Sequence, residues 1–301
     1  MSMEVRQATP ADEPDVVAFT QATWPGRHGD YLPRVFADWV ARDGPAERTF
    51  VVDDEGAAVG VVKAVLQTPR EAWMQGMRIA PDYRGRGLST RLHEAAADWA
   101  RERGATVGRG IVFSWNGPAL AASRVAGFEP ATEYRWAHPA PDPAAEPDLT
   151  VDDDVDAGWS YWQRSAARSH LRGLAYDMDE TWAVRELTRD TLERAAAETF
   201  LGVVKADGTR GLAFRSRDVD REDDAGEPVH LAEYGLAAWA DPAACASLVA
   251  AIARDAAALG ADRTRVFVPE TVAAVSDAAL AGAELGEEPL FVLEADLTRL
   301  D

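Results

Sequence analysis

The sequence predicts an α/β (α+β) fold: a mixed central sheet flanked by helices, in two tandem copies, the C-terminal one degenerate. Three observations predict it. Apolar spacing alternates between strand-like and helix-like in the order β-α-α-β-β-β-α-β-α-β over residues 4–137. The strand–helix–strand–helix–strand ending of that order recurs over residues 230–295. Residues 77–90, MRIAPDYRGRGLST, lead a strand through a glycine-rich turn into a helix; at 239–247 the second half has only WADPAACAS.

Residues 5–8 alternate as a short strand. Thr9-Pro10-Ala11-Asp12 supplies a capping side chain, a proline at the first helical position and an early acid, which predicts a helix to about Thr23 with Val16, Val17 and Phe19 inward. Residues 24–30 read as a loop able to cover a pocket, and 31–40 as a helix starting near Pro33. Residues 50–52 and 57–66 form a hairpin around Asp53-Asp54-Glu55-Gly56. Strand 72–79 feeds the glycine turn and a helix with apolar residues at 88, 92, 95, 96 and 99, ended near Arg103 by Gly104. Strand 107–114 follows. Asn116-Gly117-Pro118 then caps helix 119–126, and strand 128–137 comes after Gly127.

Residues 1–137 therefore read as one domain, and 138–158, rich in Pro, Asp and Ala, as a linker. Residues 159–301 read as a looser copy. It has a strand at 182–186, a helix at 190–198, a hairpin of 201–205 with 211–215, and an acidic loop at 218–227. The series continues with strand 230–238, helix 242–260, strand 265–268, helix 271–281 and strand 290–295.

The turn at 84–87 carries chemistry. A helix N-terminus leaves backbone N–H groups unpaired and presents the positive end of the helix dipole, a site for a diphosphate. Two glycines let the backbone approach the phosphates, and Arg84 and Arg86 add charge. The second copy, with neither glycine pair nor arginine there, is not expected to bind a diphosphate.

Composition narrows the classes. A hydrophobic share of 47% is globular, and a net charge of −20 argues against nucleic acid or an anionic membrane as partner. An anionic cofactor then needs a local basic pocket, for which Arg78, Arg84, Arg86 and Arg91 are candidates. Lys63 and Lys205 are the only lysines, a balance similar to that of proteins from extreme halophiles. The single cysteine, Cys245, excludes an intramolecular disulfide. The start MSMEVRQATP shows no secretory pattern and no unbroken apolar run approaches about 20 residues, so a cytoplasmic location is expected. His28, His93, His138, His170 and His230 lack metal-ligand spacing, Asp152-Asp153-Asp154 reads as solvated linker, and no metal is expected.

On these motifs the first half resembles the GCN5-related N-acetyltransferases, the GNAT superfamily. Ile79-Ala80-Pro81 matches the Val/Ile-x-Pro strand end, and Arg84-Gly85-Arg86-Gly87-Leu88-Ser89 the loop that follows, with Ser89 where Gly or Ala is usual. Asn116, Ala119, Gly127 and Phe128 match the later Asn-x-x-Ala and Gly-Phe signature, so the resemblance covers about residues 4–137. It implies a GNAT fold and acetyl-CoA as co-substrate. Met77, Arg78 and Ile79 would pair with the pantetheine arm. Arg84, Gly85, Arg86, Gly87, Leu88, Ser89 and Thr90 would hold the pyrophosphate, and Asn116 would touch the pantetheine end. The implied reaction is direct attack of a neutral amine on the thioester, with an oxyanion donor on the strand carrying Met77 and a proton source for the thiolate.

The family's usual tyrosine acid, seven residues after the Asn, is Ser123 here. Tyr134 and a water chain are alternatives, and the base stays open among Glu71, His28 and Asp30; Gln75, nearby, cannot act as one. Gly29-Asp30-Tyr31-Leu32-Pro33 with Trp39, together with residues 75–81, looks like a two-domain group that includes histidine N-acetyltransferase. That likeness would put Tyr31 and Arg78 at the acceptor pocket, with Asp30 and His28 in the covering loop. The reading is N-acetylation of a primary amine of a small molecule, a free amino acid among the candidates, by a monomeric pseudo-dimer or a homodimer whose second domain closes or shapes the acceptor site. The alternatives are a non-catalytic acyl-CoA-binding regulator and a protein or peptide N-acetyltransferase.

Overall fold

The computed structural model describes residues 3–21, 23–24, 29–223 and 226–299. In chain order the elements are β1 (Glu4–Gln7), α1 (Glu13–Thr20), α2 (Leu32–Arg42), β2 (Glu47–Asp54), β3 (Ala57–Leu66), β4 (Glu71–Ile79), α3 (Leu88–Glu102), β5 (Val107–Phe113), α4 (Gly117–Val125) and β6 (Glu129–His138). There follow β7 (Thr150–Asp152), α5 (Val155–Trp162), α6 (Ala166–His170), β8 (Leu174–Tyr176), β9 (Val184–Glu186), α7 (Arg189–Glu198), β10 (Phe200–Ala206) and β11 (Gly208–Glu222). The chain ends with β12 (Pro228–Trp239), α8 (Pro242–Leu259), β13 (Arg263–Pro269), α9 (Val272–Leu280), β14 (Glu284–Leu285) and β15 (Leu290–Asp296).

These elements form two compact units. The first comprises residues 1–112, 116–130 and 292–301, and the second 113–115 and 131–291. The mixed α/β fold matches the sequence expectation, but the division differs from the one read along the chain. Most of β6 belongs to the second unit, and most of β15 to the first. Local spacing identifies both as strands and cannot say which sheet they join. Side-chain fit decides: β6 lies antiparallel to β13 with Trp136 opposite Phe267 and Tyr134 opposite Pro269, and the Tyr134 and Phe267 rings stack at 4.2 Å. In the first unit Leu293, Ala295 and Leu297 enter the core beside Met74, Trp99 and Ala105.

In the first unit the strand order is β1-β2-β3-β4-β5-β15. The pairs from β1 to β4 are antiparallel, and β4 and β5, joined through α3, are parallel. The expected hairpin turns through Glu55 and Gly56 at φ 55° and 94°, with Gly56 N–H donating to Asp53 at 2.8 Å. The helix expected over 9–23 is shorter. A 3₁₀ turn at Pro10–Asp12 precedes α1, and the buried Asp12 accepts from Thr9 N–H at 2.7 Å and pairs with Arg6 at 2.7 Å. Helix α2 buries Leu32, Phe36 and Trp39, an i, i+4, i+7 stripe, against Val16, Val51 and Val61. Each such side chain contributes roughly 1.5–3 kcal/mol on burial.

In the second unit the order is β6-β13-β12-β11-β10-β7, with β14 on β6, and among the described residues only β12 and β13 are parallel. Part of the stretch read as linker is structured: β7 pairs with β10, and α5 buries Tyr161 and Trp162. Lys205 pairs with both Asp152 and Asp154 at 2.7 Å, which neutralises the acidic run. The stretch read as an acidic loop is strand as far as Glu222, because its carboxylates sit on an exposed hairpin and Asp218 meets His230 at 3.1 Å. Helix α8, 18 residues with mean hydropathy 1.4, is long and apolar enough to cross a membrane by composition alone; its Ala244, Leu248, Ile252 and Ala256 lie in the core.

Candidate functional site

The site is built where β4 leaves the sheet. On one side β4 pairs with β3, but Gln75 faces Lys63 while Arg78 faces Val61, so Gly76 and Met77 share one partner and form a bulge. Gly76 sits at φ 69°, and a Cβ there would lie 2.5 Å from the Trp39 ring. On the other side the register with β5 runs only from Glu71↔Val107 to Trp73↔Arg109. Beyond it, among the described residues, Met77–Ile79 has no strand partner on that side. It is an edge to which an extended ligand can hydrogen-bond.

After Ala80 a 3₁₀ turn at Pro81–Tyr83 reverses the chain into exposed Arg84–Gly87. Gly85 and Gly87 hold φ 74° and 75°, a left-handed conformation that disfavours other residues, and a Cβ on either would meet nothing within 4 Å. The turn is therefore glycine by conformation and open by shape. Gly87 caps α3 without a side chain, and no acid occupies the first helical turn, so the N–H groups of Leu88, Ser89 and Thr90 remain for an anion. Arg84 donates to Ile79 O at 3.2 Å; Arg86 donates to Asp82 O at 2.8 Å and lies 4.9 Å from the Tyr83 ring. These bonds hold both guanidinium groups at the rim of the turn.

The other arginines expected in the basic pocket are engaged elsewhere. Arg91 donates to Met3 O at 2.7 Å. Arg78 pairs with Asp30 at 2.7 Å, its guanidinium 4.3 Å from the Trp24 ring centroid and 5.8 Å from that of Tyr31. Its charge is thus matched on the protein, and only its backbone belongs to the open edge. The fold brings the two separate stretches, 29–33 and 75–81, into one cluster. The Asp30 side chain is fully buried and also accepts from Leu32 N–H at 3.1 Å. His28 lies outside the described residues. Asn116 caps α4 by accepting from Ala119 N–H at 3.2 Å, leaving its amide N–H₂ as a donor.

The expected acids and bases fare unevenly. Glu71 stands at the far end of β4, six residues or roughly 20 Å from Met77. It is bound to Arg109 at 2.5 Å, and Arg109 also holds Glu294 at 2.7 Å. It is a structural ion pair, which corrects the expectation of a base. Tyr134 belongs to the second unit, fully buried between Trp136 and Phe267, with no partner for its hydroxyl among the described residues. Burial holds that hydroxyl well above the usual phenol range. A phenol held that far above its usual range is a poor proton donor to a cofactor thiolate, so Tyr134 is set aside as the acid. Ser123 is buried on α4, and its carbonyl accepts from Phe128 N–H at 3.0 Å.

The structure adds residues that the sequence reading passed over. The Lys63 ammonium is wholly buried, 2.6 Å from Glu47 and 5.3 Å from the Trp39 ring, behind the Gly76 bulge. A glycine inside the apolar run 72–79 was the available signal for that bulge.

Comparison with known proteins fits this geometry. A profile of the GNAT acetyltransferase family matches residues 14–128. No curated protein matches the chain. Among solved structures, a GCN5-related N-acetyltransferase from Sphaerobacter thermophilus superposes with TM-score 0.59 at 14% identity, covering 98% of this chain and 96% of its own. A protein of Thermoplasma acidophilum, provisionally described as an acetyltransferase, gives 0.57 at 18% identity, covering 97% and 99%. One of Pyrococcus horikoshii, described in the same way, gives 0.52 at 14%, covering 98% and 89%. At such identities the likeness shows a shared fold along nearly the whole chain.

Proposed function

We propose that this chain, an acyltransferase whose residues 14–128 carry a GNAT-family acetyltransferase domain, moves acetyl from acetyl-CoA to the primary amine of a small molecule. One observation carries the proposal. An open strand edge at Met77–Ile79 runs directly into an open, acid-free, glycine-shaped helix start. An extended polar arm ending in a diphosphate fits that sequence of surfaces. Leu88, Ser89 and Thr90 amides with Arg84 and Arg86 would hold the diphosphate, Met77–Ile79 the arm, and Asn116 its far end. The bound thioester supplies the activated acetyl group.

The bulge at Gly76 turns the backbone of Met77, where an N–H can stabilise negative charge developing on the carbonyl oxygen. Glu71 and Asp30 are both committed to arginines, so the reactive amine arrives already neutral, loses its proton to water or gives it to His28, the candidate base outside the described residues. In this reading the cluster of Asp30, Tyr31, Trp24 and Arg78 borders the acceptor, a small amine with a free amino acid among the candidates.

A regulatory acyl-CoA-binding role is the second reading, favoured by Ser123 at the usual acid position and by the burial that makes Tyr134 a poor acid. Free-thiol release from acetyl-CoA, measured against amino acids, polyamines, aminoglycosides and basic peptides, separates the two. Turnover on a small amine supports transfer. Cofactor binding without turnover on any amine supports the regulator, and failure to bind acetyl-CoA at all overturns both.

A further inference from the structure

Strands β11, β12 and β13 bring three charges into one row across the second unit: Arg217 is paired in register with Glu233, and Glu233 with Arg265. Tyr134 and Trp136, two apart on β6, line the same face through their pairing with Pro269 and Phe267. The β8–β9 hairpin covers it. Gly235 permits that approach, since a Cβ there would lie 2.9 Å from Tyr176 O. The Arg265 guanidinium sits 4.6 Å from both the Trp136 and Trp182 rings, bonded to Glu233 and, at 3.1 Å, to the Tyr176 hydroxyl. Arg217 donates to the carbonyls of Asp177 and Glu180.

The row is unbalanced in two ways. Among the described residues, Arg217 and Arg265 both form their ion pairs with Glu233, while Asp177 is paired with Arg185 at 3.4 Å and accepts from the N–H groups of Asp179 and Glu180. Buried donors without partners also outnumber acceptors. Arg265 Nε, Arg217 Nε and Nη1, Trp136 Nε1 and the Tyr134 hydroxyl stand against Glu233 Oε2 alone, which is 3.7 Å from Arg217 Nε. An uncompensated buried cation and several orphaned donors cost free energy that one anion would recover.

We propose that the second unit holds a buried receptor for one small monoanionic carboxylate, bound by Arg217, Arg265, Trp136 and Tyr134. A carboxylate brings one negative charge, planar oxygens that match a guanidinium fork and several lone pairs for the remaining donors. A phosphate dianion would exceed the available charge. The receptor uses residues of the second unit alone, so it stands or falls separately from acetyl transfer.

The test titrates the full chain, dialysed into Tris chloride, with acetate, propionate and benzoate by calorimetry and thermal melting, against chloride and inorganic phosphate at matched ionic strength. Saturable one-to-one carboxylate binding with a raised Tm is expected. Arg217→Gln should weaken it at least tenfold and Tyr134→Phe about fivefold, with coenzyme A affinity unchanged in both. Tyr134→Phe removes only an unpartnered hydroxyl and keeps the fold, which near-UV circular dichroism checks. Absence of saturable carboxylate binding, equal binding of phosphate or chloride, or undiminished affinity in Tyr134→Phe would each overturn the proposal.

Discussion

Replacing Gly87 by alanine and by glutamate separates what the turn does for the fold from what it does for a ligand. At φ 75° an alanine pays the left-handed penalty, about 1–2 kcal/mol. Its Cβ meets no protein atom within 4 Å, so no clash adds to that cost. For a chain of this size Tm should fall by about 2–3 °C. Glutamate pays the same conformational penalty and also places a carboxylate where a diphosphate would lie. Two unit charges about 4 Å apart repel by about 4 kcal/mol at an effective dielectric near 20, and exposure of the turn reduces this. Coenzyme A affinity should therefore fall at least tenfold further in Gly87→Glu than in Gly87→Ala, with the two melting temperatures alike. Calorimetric titration with coenzyme A and thermal melting of both variants supply the numbers. Equal coenzyme A affinities in wild type and Gly87→Glu would refute the cradle.

Gly76→Ala drives a Cβ into the Trp39 ring at a positive φ and should destabilise the chain by about 2–4 kcal/mol in urea melts, with kcat falling more than KM rises because the bulge is displaced. Glu71→Gln should cost about 1–3 kcal/mol of stability and leave kcat unchanged; a large loss of kcat without loss of stability would restore Glu71 as a base. Burial depresses the pKa of His93, whose Nδ1–H donates to Ser89 O at 2.8 Å. The unfolded chain then binds more protons between the folded pKa and about 6.5. Stability is present above pH 6.5 and is lost as pH falls below it, with a slope of at most about 1.4 kcal/mol per unit, and His93→Asn should flatten that region of the pH–Tm curve. The pH dependence of kcat/KM should follow the pKa of the amine substrate, since Asp30 and Glu71 are both tied to arginines; a break that stays put when the amine is changed would reveal a protein base.

What could be read from the sequence was local. Gly85 and Gly87, Pro81 and the Asn116 cap each act within a few residues, so strand end, turn and helix start were legible in order. What escaped depends on partners far along the chain. Nothing beside Tyr134 says that Phe267 will cover it, and nothing beside Glu71 says that Arg109 will claim it. The acidic stretch at 218–222 read as loop because its charges mask the strand alternation, and β12 supplies the pairing that overrides them. Lys63 inside an all-apolar strand became intelligible only with Glu47 beside it.

The exchange of terminal strands has a consequence for how the protein is made. The sheet of the first unit ends at β15, so the half that carries the glycine turn waits for residues synthesised nearly two hundred positions later. The second unit has all its segments once residue 291 has emerged. The usual order of synthesis, in which the N-terminal domain is finished first, is inverted here. A chain ending at residue 291 would hold every segment of the second unit and an N-terminal one whose edge at β5 still lacks its neighbour, and cutting the chain between the halves would leave each missing a strand.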